Sequence, residues 1–220
     1  MRNKLAYFGN PWIGLFAKTN DELTLVPNDA LPKVVQNLEQ NLKTKVVQVS
    51  VGSTGIVGAY LAMNSTGVVL PNLATDEEVK VFKELGLNVY RSSEKSNAHG
   101  NNIALNDKGG IINPRIEASE RGRMEDALGI ELVPMMIAKY ATVGSCCIGG
   151  SKGFLAHFGA SDKEMEQIAD ILKVAGEKGS VNMGTGFVSL GIIANAHGYV
   201  AGEATSAYEM GRAETALGYL

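Results

Sequence analysis

No stretch of this chain carries a block of basic residues. Lysine and arginine number 20 against 23 aspartates and glutamates, for a net charge of −3, and both signs are spread along the length. That excludes the one-sided basic footprint of a protein gripping nucleic acid through its phosphates. Cysteine is confined to the adjacent pair Cys146 and Cys147, a poor arrangement for a structural disulfide. The three histidines, His99, His157 and His197, are far apart, and no Cys-x₂-Cys or His-x₃-His spacing occurs, so no metal site is expected. Long apolar runs are missing too. The most apolar region, residues 46–63, is broken by Gly52, Gly55 and Gly58 and suits two buried strands better than a membrane helix. The amino terminus has no apolar core of a signal peptide, so a soluble protein of a reducing cytoplasm is expected.

Glycine, at 26 of 220 residues, is in excess. It gathers in turns that recur with a period of about 44 residues. Asn20, Asn64, Asn106, Gly150 and Asn195 each open a turn followed by a short apolar strand and then a Pro or Gly break, with a His in their place after residue 150. A second ruler agrees: Asn28, Thr75, Ser119, Ser161 and Ser206 each begin an acidic, apolar-periodic run of helical type. Thr75 with Glu78, Ser161 with Glu164 and Ser206 with Glu209 have capping-box spacing. A fixed period of this size marks a repeat architecture. The units expected are approximately 1–44, 45–88, 89–131, 132–175 and 176–220, forming one domain because a single unit cannot bury its own apolar face.

In the unit 45–88, residues 46–51 and 56–63 read as strands, Val68-Val-Leu70 as the return of a hairpin, and residues 75–85 as a helix. The terminal units are as apolar as the middle ones, so no polar caps are visible. Closure removes exposed ends without caps. The expected fold is α/β: a closed, five-fold pseudosymmetric propeller with strands around the axis and helices outside.

The remaining chemistry is thin. Cys146 and Cys147 fall where a buried strand is expected, with no histidine placed beside them as a base. His157 and His197 read as turn and surface residues. The glycine clusters at 52–58, 149–153 and 184–186 lack nucleotide-cradling order and read as tight corners. No catalytic residue and no cofactor is expected. A polar insert, residues 91–102, separates the first two strands of the third unit and is a candidate contact surface.

Several blocks of the chain resemble the translation initiation factor 6 family in its archaeal form. They are Ile13-Gly-Leu-Phe-Ala-Lys18, Ile56-Val-Gly58, Asn64-Ser-Thr-Gly-Val-Val-Leu-Pro-Asn72, Thr75-Asp-Glu-Glu78, Gly100-Asn101 with Asn106-Asp107, Val143-Gly-Ser145 with Cys147, and Val181-Asn182 with Gly184. Ending at Leu220, the chain lacks the tail of eukaryotic members, so the archaeal form is expected. The resemblance implies the pentein fold, a five-fold α/β propeller. It also implies binding to the intersubunit face of the large ribosomal subunit, which prevents joining of the small subunit, and a part in large-subunit maturation. The partner implied is mainly a ribosomal protein near the sarcin–ricin loop, with ribosomal RNA secondary, and the factor is expected to act as a monomer without a small-molecule substrate. Arg91 and Asn101 match family positions in the contact region. Ala59 stands where eukaryotic members carry a basic residue, so the contact is not extended there. The rival expectation is a pentein-type amidinohydrolase or amidinotransferase acting on guanidino compounds. Those enzymes use a cysteine in the last unit, and this chain has none there.

Overall fold

The computed structural model describes residues 3–220. The chain opens with β1 (Lys4–Leu5). One order of elements then follows: α1 (Ile13–Phe16), β2 (Lys18–Thr19), β3 (Leu23–Pro27), α2 (Pro32–Leu42) and β4 (Lys45–Val49). It repeats as α3 (Val57–Tyr60), β5 (Ala62–Met63), β6 (Gly67–Leu70), α4 (Asp76–Glu84) and β7 (Asn88–Arg91). The third pass is α5 (His99–Asn102), β8 (Ile103–Leu105), β9 (Gly110–Ile112), α6 (Ala118–Leu128) and β10 (Leu132–Pro134). The fourth is α7 (Val143–Cys146), β11 (Cys147–Gly149), β12 (Phe154–His157), α8 (Asp162–Leu172) and β13 (Gly176–Gly179). The last is α9 (Val188–Gly191), β14 (Ile192–Ala194), β15 (Tyr199–Gly202) and α10 (Ala207–Ala216).

Each pass makes one three-stranded sheet. The first two strands form an antiparallel hairpin, and the third, reached through the long helix, returns parallel to the second. The fifth pass has no third strand of its own. β1 supplies it, pairing parallel with β15 through Lys4 opposite Ala201 and Leu5 opposite Gly202. The chain's first and last strands thus share a sheet.

The sheet limits are offset from the repeat limits expected from the sequence. The strand at 45–49 does not open a second sheet but completes the first, lying beside β3. Residues 56–63 are a further correction, since they form the short helix α3 and then β5 rather than one strand. The same holds for residues 143–149. Three of the five helix starts fall where expected, with capping boxes at Thr75, Ser161 and Ser206. The other two differ. α2 begins at Pro32 behind Leu31, not at Asn28, and α6 begins at Ala118 behind Glu117, placing Ser119 inside the helix.

The core is divided into clusters that each draw on two neighbouring passes. Leu25 and Val49 pack with Val68, Leu70 and Phe82, joining the first to the second. Val26, Leu38 and Leu42 pack with Ile193 and Val200, joining the first to the fifth. Comparable clusters join the second to the third, the third to the fourth and the fourth to the fifth. No unit buries its apolar residues alone, which is why the terminal units need no polar caps.

The short helices meet at the centre. Their second positions are Gly14, Gly58, Gly100, Gly144 and Ser189. A Cβ on Gly14 would collide with the Ser189 carbonyl, on Gly58 with that of Gly14, on Gly100 with that of Gly58, and on Gly144 with that of Gly100. The Ser189 hydroxyl donates to the Gly144 carbonyl. Contacts between these helices therefore run in a cycle: α1 on α3, α3 on α5, α5 on α7, α7 on α9, and α9 on α1.

Candidate functional site

The molecule has two unlike ends. At one lie the Asn turns. The Asn20 carboxamide oxygen accepts from the Glu22 and Leu23 amides at 2.9 and 2.8 Å, closing its own turn. Its amide nitrogen donates to the Asn64 carbonyl at 3.0 Å, so the same side chain reaches the next unit. Asn64, Asn106 and Asn195 close their turns alike and donate to the last carbonyls of the long helices, at Leu128, Leu172 and Leu42. Asn195 also donates to Asn20 and Asn106 to Gly150. Gly150 has no side chain to continue the chain of bonds.

At the other end are tight turns joining Tyr7 to Asn10, Val51 to Thr54, Ile137 to Tyr140 and Val181 to Thr185. A glutamate from the first turn of a long helix holds three of them. Glu78 accepts from Ser50 Oγ, Gly52 N and Ser53 N as well as from its own cap residue Thr75. Glu164 accepts from Ala138 N, and Glu209 accepts from Met183 N and Gly184 N. In the third unit the tight turn is replaced by the polar insert, and Glu120 still serves it. Its carboxylate accepts from Tyr90 Oη, Ser92 Oγ and Ser93 Oγ at 2.9, 2.8 and 2.6 Å. Burial alone would raise the Glu120 carboxyl, but the hydrogen bonds from Ser93, Ser92 and Tyr90 outweigh it and hold the group at about 2. The first unit has Val34 at the equivalent helix position and uses Tyr7 Oη on Asp29 instead. Large apolar side chains stand exposed beside these turns, Phe8, Leu73, Phe158 and Met183 among them.

The two residues singled out by the resemblance lie in different surroundings. Arg91, at the end of β7, donates to the Ala74 carbonyl at 2.9 Å and pairs with Asp76 at 2.8 Å. Asn101, in α5, lines a cavity at the molecular centre to which all five units contribute. The insert around them is ordered by Glu120 and by Asn102 Nδ2 donating to the Ser96 carbonyl. Two of these turns fall at the tight corners expected around 52–58 and 184–186; the glutamate clasp was not legible, because clasp and turn lie 25–28 residues apart.

His157 corrects the surface reading: it is a buried residue of β12, its Nδ1 accepts from Gly159 N, and its ring stacks on Phe158. His197 is exposed in its turn, as expected, with Nε2 3.1 Å from the Asp21 carbonyl. Both cysteines are buried. Burial pushes the Cys146 thiol up to about 12 and the Cys147 thiol up as well, so neither is poised as a thiolate. Among the described residues no group of His, Cys, Asp and Glu could hold a metal ion, and no helix is long and apolar enough to cross a membrane.

These features define an α/β protein of five repeated units packed about a common centre, with buried carboxylates that hold turns. A family model described as "eIF-6 family" matches residues 2–216. Translation initiation factor 6 of Picrophilus torridus is 34% identical over 99% of this chain and 100% of its own length. The proteins of that name from Pyrobaculum arsenaticum and Methanocorpusculum labreanum are 34% and 33% identical, covering 96% and 98% of both chains. The chain belongs to the eIF-6 family.

Proposed function

We propose that this chain is a translation initiation factor of archaeal type that binds the intersubunit face of the large ribosomal subunit and keeps the small subunit from joining. A part in large-subunit maturation belongs to the same reading. The observation that carries it is the match to relatives named translation initiation factor 6 over 96–99% of this chain. The fold in this reading is one domain, a closed five-fold propeller of the pentein type, with strands around the axis and long helices outside. The cyclic contacts of the short helices and the pairing of β1 with β15 support closure.

Blocking is steric in this mechanism. A closed ring is stiff, so it presents a surface with little ordering cost on binding. A standard interface of roughly 800 Å² on each partner is enough for tight association. With a net charge of −3 and no basic block, the chain is poorly built for phosphate-driven binding. Docking therefore rests mainly on a basic ribosomal protein near the sarcin–ricin loop, with RNA secondary, and Arg91 and Asn101 lie in the contact region. The factor works as a cytoplasmic monomer without cofactor or catalytic step.

Co-sedimentation with purified archaeal large subunits tests this. Stoichiometric binding is expected, weakening only about tenfold between 50 and 200 mM salt, against the roughly 10³-fold or greater loss of a phosphate-gripping protein. Failure to co-sediment at low salt contradicts the proposal.

A further inference from the structure

Each short helix opens on a buried residue. In four of them it is apolar: Ile13 in α1, Val57 in α3, Val143 in α7 and Val188 in α9. In α5 it is His99, fully buried, and neither of its ring nitrogens has a hydrogen-bond partner among the described residues. A buried polar group left unpaired costs stability, and a valine in its place would not. The neutral ring is tolerated there, but an imidazolium would carry two N–H donors into surroundings that offer them no acceptor. The helices and strands that pack on α5, namely α3, α7, β5 and β8, contribute no charged side chain, and their titratable groups are Tyr60 and Cys146. The carboxylates that act on the ring are Glu94 and Glu120, and burial outweighs them, holding the imidazole down at about 4 against its ordinary 6.5.

Both carboxylates are already committed to the polar insert that leads into α5. Glu94 Oε1 accepts from Lys95 N and Ser96 N at 2.8 and 3.4 Å. Glu120 accepts from the hydroxyls of Ser92 and Ser93 and from Ser93 N, and the exposed Arg123 pairs with it at 3.6 Å. The insert's other ties are long: Asn72 N to Asn97 Oδ1 and Asn72 Nδ2 to the Glu94 carbonyl, both 3.3 Å, and Asn102 Nδ2 to the Ser96 carbonyl at 3.2 Å. We propose that residues 92–98 form a proton-operated latch, closed while His99 is neutral and released when its imidazole takes up a proton. The charged ring needs either water or the carboxylates, and both routes undo the bonds that hold the insert. α5 itself stays in place, because Gly100 is pressed against the Gly58 backbone. The closed form excludes the proton and the open form accepts it normally, so opening gains as the pH falls through 6.5 and levels off near 4. The latch stands or falls independently of ribosome binding.

Amide hydrogen exchange reads local opening directly. In the wild-type protein, with rates corrected for intrinsic exchange at each pH, protection at residues 92–98 should fall about twentyfold between pH 7 and pH 5. The amides of β6 and β9 should keep theirs. His99→Val, which installs the residue found at three of the equivalent positions, should hold protection of the insert level over the same range. Level protection in the wild type overturns the proposal, as does the same fall in His99→Val or a fall shared by the whole chain. If His99→Val fails to fold, the wild-type profile decides, because His157 and His197 lie in other units.

Discussion

Glu120 takes hydrogen bonds from Tyr90 of β7 and from Ser92 and Ser93 of the polar insert, and its titration exposes what they contribute. Its folded carboxyl sits at about 2, below the usual 4.5. The contribution is therefore complete above about pH 4.5 and is lost as the pH falls towards 2. Glu78 and Glu209 are also held low, burial opposing and hydrogen bonds from Ser50 and from Ser206 prevailing, so they add to the same acid limb. Urea midpoints at pH 7, 4 and 3 should fall steeply in that window. Glu120→Gln should lower stability at pH 7 by about 2 kcal/mol and flatten the limb. An unchanged limb would mean that the carboxylate is not clasping the insert in solution. The Ser or Thr with a Glu three residues on was legible in the sequence at 75, 161 and 206. Glu117 in the cap position, with no hydroxyl, hid the start of α6, although Glu120 keeps its place.

The short helices are the elements that sequence concealed. Four residues containing a glycine are too few to distinguish helical from strand periodicity, and β-branched neighbours such as Val57 and Val143 favour the strand reading. The glycine itself was informative for a different reason, since the chain at this point touches the backbone of the next unit. Gly58→Ala would drive a methyl into the Gly14 and Ala17 carbonyls, which are backbone atoms unable to move aside. A loss of about 3 kcal/mol or more is expected by urea denaturation. Gly122, inside α6, has nothing within 4 Å of an added Cβ. Gly122→Ala should raise stability by about 0.5–1 kcal/mol. Equal effects at the two sites would refute the central packing.

At the scale of the molecule, the period of about 44 residues foretold five units and the uncapped ends foretold that they must cover one another. What the period could not show was which sheet each third strand joins, because a parallel partner is separated by a whole helix. The end-to-end pairing of β1 with β15 is flanked by bonds from Ala201 N to the Asn3 carbonyl at 2.8 Å and from Glu203 N to the Leu5 carbonyl at 2.9 Å. Deleting residues 1–6 should cost about 2–4 kcal/mol by thermal or urea unfolding, in one cooperative transition. The proposed steric role has to be judged on the ribosome. The decisive measurement is sucrose-gradient sedimentation of archaeal ribosomal subunits under joining conditions, with and without the purified chain. Free large subunits carrying the protein should accumulate at stoichiometric addition, whereas undiminished joined ribosomes at saturating protein would contradict the account.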